Sequence, residues 1–359
     1  MLAQAEETGR ASESRRQYRL NTDEAIGREP RRSDNITHAG PGRTAVPRLS
    51  IVIPCAQDTA WFESTLASVL QNRPADCEVL VVQPREYDDP YDLRGEVRFQ
   101  QAPADASLVE LINLGIESAT GAVVHVLTCD VEVTDGWTEP ALAHFDNPAV
   151  GSVSPLVVAE DGGKVLACGV RYAVGGRRQL RRKSPLRGRS RAGQIVGPTL
   201  AAGFYRRQAV LDVGGFCAAV GEELADVDLA CSLRAIGLRA VYEENSVVMR
   251  RASAAASRLS WRQGRQAERL FWRHAADAGW CRALLLHAWT IAWELVCNLH
   301  RPELVSHLCG RAVGACDLAG YRRHRRQLKA AQQSAQRVLP FKHSGAADIR
   351  NVMHPRAAA

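Results

Sequence analysis

The sequence predicts an α/β protein with a doubly wound, mostly parallel sheet and a C-terminal helical region. Three observations predict it. Short continuous apolar runs of strand length recur from residue 49 onward. Segments with helical apolar spacing alternate with them, the signature of crossover connections between parallel strands. After about residue 258 the pattern becomes helical and rich in Trp and Arg.

Taken in order, residues 1–46 are rich in Arg, Glu, Ser, Thr and Gly with no sustained period, and are expected to form a disordered leader. LSIVIP, residues 49–54, is a buried strand closed by Pro54. Phe62, Leu66, Val69 and Leu70 mark one helix face. CEVLVVQ, ending at Gln83, and VRFQQA, residues 97–102, are the next strands. Leu108, Leu111, Ile112, Gly115, Ile116 and Ala119 mark a second helix, with Gly121 as its C′ stop. Val123 to Leu127 is a further buried strand. GSVSPLVVAE and KVLACGVRY read as strands about a turn at Asp161, Gly162 and Gly163. A short helix follows at 206–213, then a helix capped by Asp226, then a strand at 239–242. Residues 171–191 hold nine Arg or Lys and no acid, and with Gly175, Gly176 and Pro185 they are expected to form a loop. The loop is either a solvated basic segment or an anion clamp over the sheet edge. The expected domains are an α/β domain over 47–255, a helical region over 256–335 and a flexible tail over 336–359.

With 359 residues and 46% hydrophobic content, the chain suits one large domain or one domain plus an appendage. Net charge of +7 favours anionic partners: phosphates, nucleic acid or a membrane surface. The basic residues form no recognised nucleic-acid motif, so nucleic acid is not expected as a partner. The ten Cys show no CxxC pair, which argues against a structural zinc site. Cys129, Cys168, Cys281 and Cys297 sit in apolar runs, as small core residues in a reducing compartment do. The N-terminus lacks the apolar stretch of a signal peptide. The run Ala283 to Leu299 is interrupted by His287, Glu294 and Asn298, short of a spanning helix. A cytoplasmic location, or a peripheral one on the inner face of a membrane, is expected. The Trp- and Arg-rich helices either lie on a membrane interface or pack on the main domain.

The stretch AVVHVLTCDVEVTDGW, residues 122–137, carries the most chemistry. Asp130 and Glu132 stand where a buried strand ends. Parallel α/β sheets place ligands at the carboxyl ends of their strands. Two hard oxygen donors there either hold a divalent ion and its diphosphate, or cap a turn and face solvent. Pro54 and Gln83 fall past neighbouring strand ends and should line the same edge. Asp226 and Asp228 flank Val227 at the start of a helix, and a carboxylate there could serve as general base toward a hydroxyl.

In order, the segments IVIPC, CEVLVV, LINLGIESATGAVVHVLTCDVEVTDGW and GGFCAAVGEELADVDLACSLRAIGLRAVYEE resemble the family 2 glycosyltransferases of the GT-A fold, especially bacterial rhamnosyltransferase-like members. The resemblance covers residues 48–250. It implies an inverting transferase that moves a sugar from a nucleotide-diphosphate donor to a glycan or lipid-linked acceptor, as in cell-surface polysaccharide synthesis. Asp130, with Glu132 beside it, matches the motif for Mg²⁺ or Mn²⁺ and the diphosphate. Asp226 matches the general base. Pro54, Gln83 and Asn113 fall among the donor-binding segments. Thr128, Gln83, Ala225 and Met249 depart from the family pattern, the last at the position of a metal-binding His. The departures imply either that Arg250, Arg251 and the basic loop bind the diphosphate in place of a metal, or that the chain is a catalytically degenerate sugar-nucleotide-binding or scaffold module.

Overall fold

The computed structural model describes residues 48–338 except 57–60, 88, 90, 174, 183–194 and 252–258. The expected leader, the tail after 338 and the second half of the basic segment lie outside the described residues.

Strands β1 (Leu49–Pro54), β2 (Cys77–Gln83), β3 (Arg98–Gln101) and β4 (Val123–Leu127) pair in parallel in the order β3-β2-β1-β4. They alternate with helices α1 (Phe62–Asn72) and α2 (Leu108–Ser118). Every residue of β1 and of β4 is buried, which is why both read as unbroken apolar runs. Helix α2 begins with a reciprocal capping box. The Glu110 N–H donates to the Ser107 side chain, and the Ser107 N–H donates to the Glu110 carboxylate. That bond and the Ser107 hydroxyl hold the Glu110 carboxyl below its ordinary range.

Gly121 has another purpose than the one expected. The helix ends on Ala119 in extended conformation, and Gly121 has no left-handed backbone. A Cβ at Gly121 would meet the Ser50 backbone nitrogen at 2.8 Å. The glycine lets the chain pass against β1 rather than turn.

Beyond β4 the sheet becomes mixed. Strand β5 (Val131–Val133) and helix α3 (Thr138–Ala143) precede β6 (Val150–Ala159), whose end turns into β7 (Val165–Ala167). Then come β8 (Val170–Ala173), β9 (Arg177–Leu180), β10 (Ala202–Arg206), α4 (Arg207–Asp212), α5 (Glu222–Ala235) and β11 (Arg239–Arg250). The large sheet continues β4-β10-β6-β11-β5, with β10 antiparallel to both its neighbours and β11 parallel to β6. Only the first half of the sheet is therefore parallel throughout. Two local expectations are corrected. The basic segment is not all loop, because β8 and β9 pair as an antiparallel hairpin. The strand expected at 239–242 runs on to Arg250, crossing a register shift after Glu243.

The C-terminal region is helical: α6 (Trp261–His274), α7 (Trp280–Asn298), α8 (Glu303–Ala315) and α9 (Leu318–Val338). Helices α6 and α8 meet backbone to backbone at glycines. A Cβ on Gly264 would lie 2.0 Å from the His307 carbonyl oxygen, and one on Gly310 would lie 2.0 Å from that of Trp261. Beside this crossing Glu268 is buried and accepts from His287 and from Arg311 at 2.9 Å. Burial would raise the Glu268 carboxyl, but His287 and Arg311 together hold it below its ordinary range. The cysteines divide: Cys129 and Cys168 are buried as expected, whereas Cys281 and Cys297 are exposed on α7.

Candidate active site

The parallel half of the sheet brings the carboxyl ends of β2, β1 and β4 side by side, since β1 pairs with both neighbours. Gln83 and Pro54 therefore share the edge from which Thr128, Cys129 and Asp130 emerge. Gln83 is buried at the strand end, and its carbonyl accepts the Ala102 N–H. The Pro54 carbonyl accepts the Cys129 thiol at 3.2 Å. Hydrogen bonding to Cys55 and burial push the Cys129 thiol far up, so it stays protonated.

Asp130 is held from both sides. The Thr128 hydroxyl donates to one carboxylate oxygen at 2.5 Å, and Arg250 Nε donates to the other at 2.7 Å. Thr128, a departure from the family pattern, thus positions the next acid. Glu132 accepts from Arg251 at 2.8 Å. The pairing follows from the antiparallel β5–β11 register, in which Arg250 faces Val131 and Met249 faces Glu132. Both arginines are available because β11 is longer than its sequence signal.

Asp226 lies one turn inside α5, which starts at Glu222, so it is not the helix cap. It is 2% exposed and fully bonded. Arg178 of the β8–β9 hairpin grips it with Nε at 2.9 Å and Nη2 at 2.6 Å. The Leu200 N–H donates at 3.2 Å and the Val227 N–H at 2.7 Å. The next residue after Leu200, Ala201, offers its carbonyl to the Thr128 N–H at 2.9 Å. The segment Leu200–Ala201 is therefore the physical link between the Asp226 and Asp130 ends of the site. Thr199, just before it, has a buried hydroxyl without a hydrogen-bond partner.

Asp228 points elsewhere. Arg273 donates to it at 2.5 and 2.8 Å, and His274 lies at 2.9 Å, tying α5 to α6. Burial alone would raise its carboxyl; the Arg273 charge and the His274 hydrogen bond outweigh that and hold it well below the carboxylate range. Asn113, in the middle of α2, is held by backbone groups. Its amide donates to the Phe216 carbonyl and accepts the Phe216 N–H, both at 2.8 Å, which uses it to clamp the turn after α4.

Sequence reasoning found the basic segment but not Arg178, whose partner is 48 residues away. It also missed Thr199 and the Leu200 backbone, because neither residue type signals a polar site.

Residues 50–214 match the family model described as Glycosyl transferase family 2. The pre-mycofactocin glycosyltransferase of Mycobacterium tuberculosis is 28% identical over 217 residues, covering 56% of this chain and 42% of that protein. The chain thus spans less than half the length of this curated relative. Among solved structures, GalNAc-T7 with UDP, GalNAc and Mn²⁺ aligns with a TM-score of 0.57 at 13% identity, over 86% of this chain and 58% of that one. S. aureus TarS aligns with a TM-score of 0.52 at 12% identity, over 81% and 55% of the two chains. Sheet order and fold likeness agree on the GT-A fold, within which residues 50–214 match the family 2 glycosyltransferases.

Proposed function

We propose that the protein is an inverting glycosyltransferase that moves a sugar from a nucleotide-diphosphate donor to a hydroxyl of a glycan or lipid-linked acceptor, as in cell-surface polysaccharide synthesis, at a membrane surface. The single observation that carries the reading is the convergence of Gln83, Pro54 and Asp130 on one strand edge with Arg250 beside it. In this reading the edge at Pro54 and Gln83 receives the nucleoside, and Asp130 with Arg250 receives the diphosphate.

The residues do not fit a divalent ion well. Both oxygens of Asp130 are engaged and Glu132 is paired with Arg251. No group of three or more His, Cys, Asp or Glu that could hold a metal occurs among the described residues. The position expected for a further ligand is Met249, which offers no oxygen or nitrogen. Arg250 spends its Nε on Asp130 and is partly exposed, so its remaining N–H groups can meet phosphate oxygens. The leaving charge is then met by arginines, which need no reorganisation to be cationic.

The acceptor oxygen attacks the anomeric carbon as the bond to the donor phosphate breaks, and the nucleoside diphosphate departs with that electron pair. Asp226 takes the hydroxyl proton. Its carboxylate is saturated by Arg178 and two backbone N–H groups. The base can work only after Arg178 swings away, which makes acceptor entry the step that exposes it. The same saturation favours a second reading, a degenerate module that binds a sugar nucleotide without transferring it.

A thermal-shift panel of UDP-, GDP- and dTDP-sugars, with Mn²⁺ and with EDTA, tests the donor site, because a ligand of the folded state raises Tm. A shift with one nucleotide, equal in EDTA and lost in Arg250→Ala, is expected. A shift that needs Mn²⁺ would overturn the arginine assignment. Binding without sugar transfer to any acceptor would support the degenerate module.

A further inference from the structure

Helix α7 is built inside out. It buries Ala283, His287 and Thr290 and half-buries Glu294. The buried polar groups are satisfied: His287 lies 3.0 Å from both the Gly175 carbonyl and Glu268, and Glu294 accepts from Arg311 at 2.7 Å. The opposite face is exposed, with Leu285 at 73%, Trp289 at 67%, Trp293 at 52%, Val296 at 73% and Leu299 at 79%. These positions recur at spacings of four and three, so they form one stripe. From Leu285 to Leu299 the stripe is about 21 Å long. Val305 and Val313 on α8 are exposed as well. An amphipathic helix in water puts its apolar side inward, and a contiguous apolar stripe of this size facing out marks an interaction surface.

Charge beside the stripe selects its occupant. Arg282 stands on the exposed side of α7, and Arg301 is exposed just past its end. Helix α9 exposes Arg322, Arg323, Arg325, Arg326 and Lys329. The guanidinium of Arg325 sits 5.0 Å from the Trp280 ring, so the basic helix adjoins the first turn of α7. A second copy docked by twofold symmetry would bring these cations against themselves. Anionic lipid headgroups complement them, and indole rings favour the boundary between headgroups and acyl chains. No helix among the described residues is long and apolar enough to cross a membrane, so the stripe would lie in the plane of the surface.

We propose that the outward face of α7, flanked by the cations of α9, is a docking surface for an anionic lipid bilayer. The inference does not depend on the donor site or on catalysis. Neither Trp289 nor Trp293 belongs to the transfer machinery.

The test is co-sedimentation of the full chain with vesicles of phosphatidylcholine alone and of phosphatidylcholine with phosphatidylglycerol. Wild type is expected to partition onto the anionic vesicles at least tenfold more strongly than onto neutral ones, and less so as salt rises. The double variant Trp289→Ser/Trp293→Ser should lose at least tenfold in partitioning with an unchanged Tm, since both side chains are exposed. Replacing Arg322, Arg323, Arg325 and Arg326 by Gln should remove the preference for anionic vesicles. Absence of vesicle binding, or equal binding by wild type and the double variant, would overturn the proposal. So would a solution dimer that the tryptophan substitutions dissolve, which would assign the face to a second copy.

Discussion

Replacing Asp228 by Asn removes a charge while keeping nearly the same shape, and it separates the two neighbouring aspartates of α5. The Asp228 carboxylate is buried and receives two Arg273 bonds and the His274 ring within 2.9 Å. Asparagine offers one carbonyl oxygen and turns an N–H group toward a donor, leaving the Arg273 cation half paired. Removing one partner of a buried ion pair costs about 3–5 kcal/mol. Asn keeps one acceptor, so the low end applies, about 3 kcal/mol. At roughly 2–4 °C per kcal/mol, Tm should fall by roughly 6–12 °C. The folded carboxyl is held below its unfolded value, so its stabilisation is present above the unfolded pKa near 3.9 and is lost as pH falls. Wild type should therefore lose stability below about pH 4 more steeply than the variant. The assay is thermal and urea unfolding of the full chain from pH 7 to pH 3, with turnover measured per folded molecule. Asp228→Asn should retain turnover, and Asp226→Asn should abolish it. A Tm within about 2 °C of wild type would refute the energetic argument. Abolished turnover in a well-folded Asp228→Asn would move the base to that residue.

Three further outcomes are expected. Gly310→Ala would set a methyl 2.0 Å from the Trp261 carbonyl oxygen, backbone against backbone, and should lower stability by at least about 2 kcal/mol in urea unfolding. Burial pushes the ring of His125, stacked 3.7 Å from Phe204, down to about 4. Its unfolded value is near 6.5, so stability should be lost as pH falls from about 6.5 to 4, by about 3 kcal/mol, and His125→Phe should flatten that slope in unfolding measurements. Arg178→Ala strands the buried Asp226 and should cost about 3 kcal/mol, while kcat holds or rises because the grip on the base is gone. Loss of kcat without loss of donor binding would instead place Arg178 in the reacting complex.

The sequence by itself determined the parallel half of the fold and the edge that carries the candidate site. Strands β1, β2 and β4 are buried on both faces, so their apolar runs are local and continuous, and Pro54, Gln83 and Asp130 could be placed at their ends from order alone. The family resemblance supplied the GT-A expectation, which the sheet order and the fold comparisons bear out. Tertiary structure decided the partners of the charged groups. Arg250 meets Asp130 across 120 residues and Arg178 meets Asp226 across 48, contacts set by sheet register and a hairpin that no local pattern encodes. It also turned Asn113 into a clamp and Gly121 into a close approach. On α7 periodicity could show that two faces differ, but not which one faces out. There the buried hydrogen bonds of His287 and Glu294 draw the polar side inward and leave the tryptophans facing out.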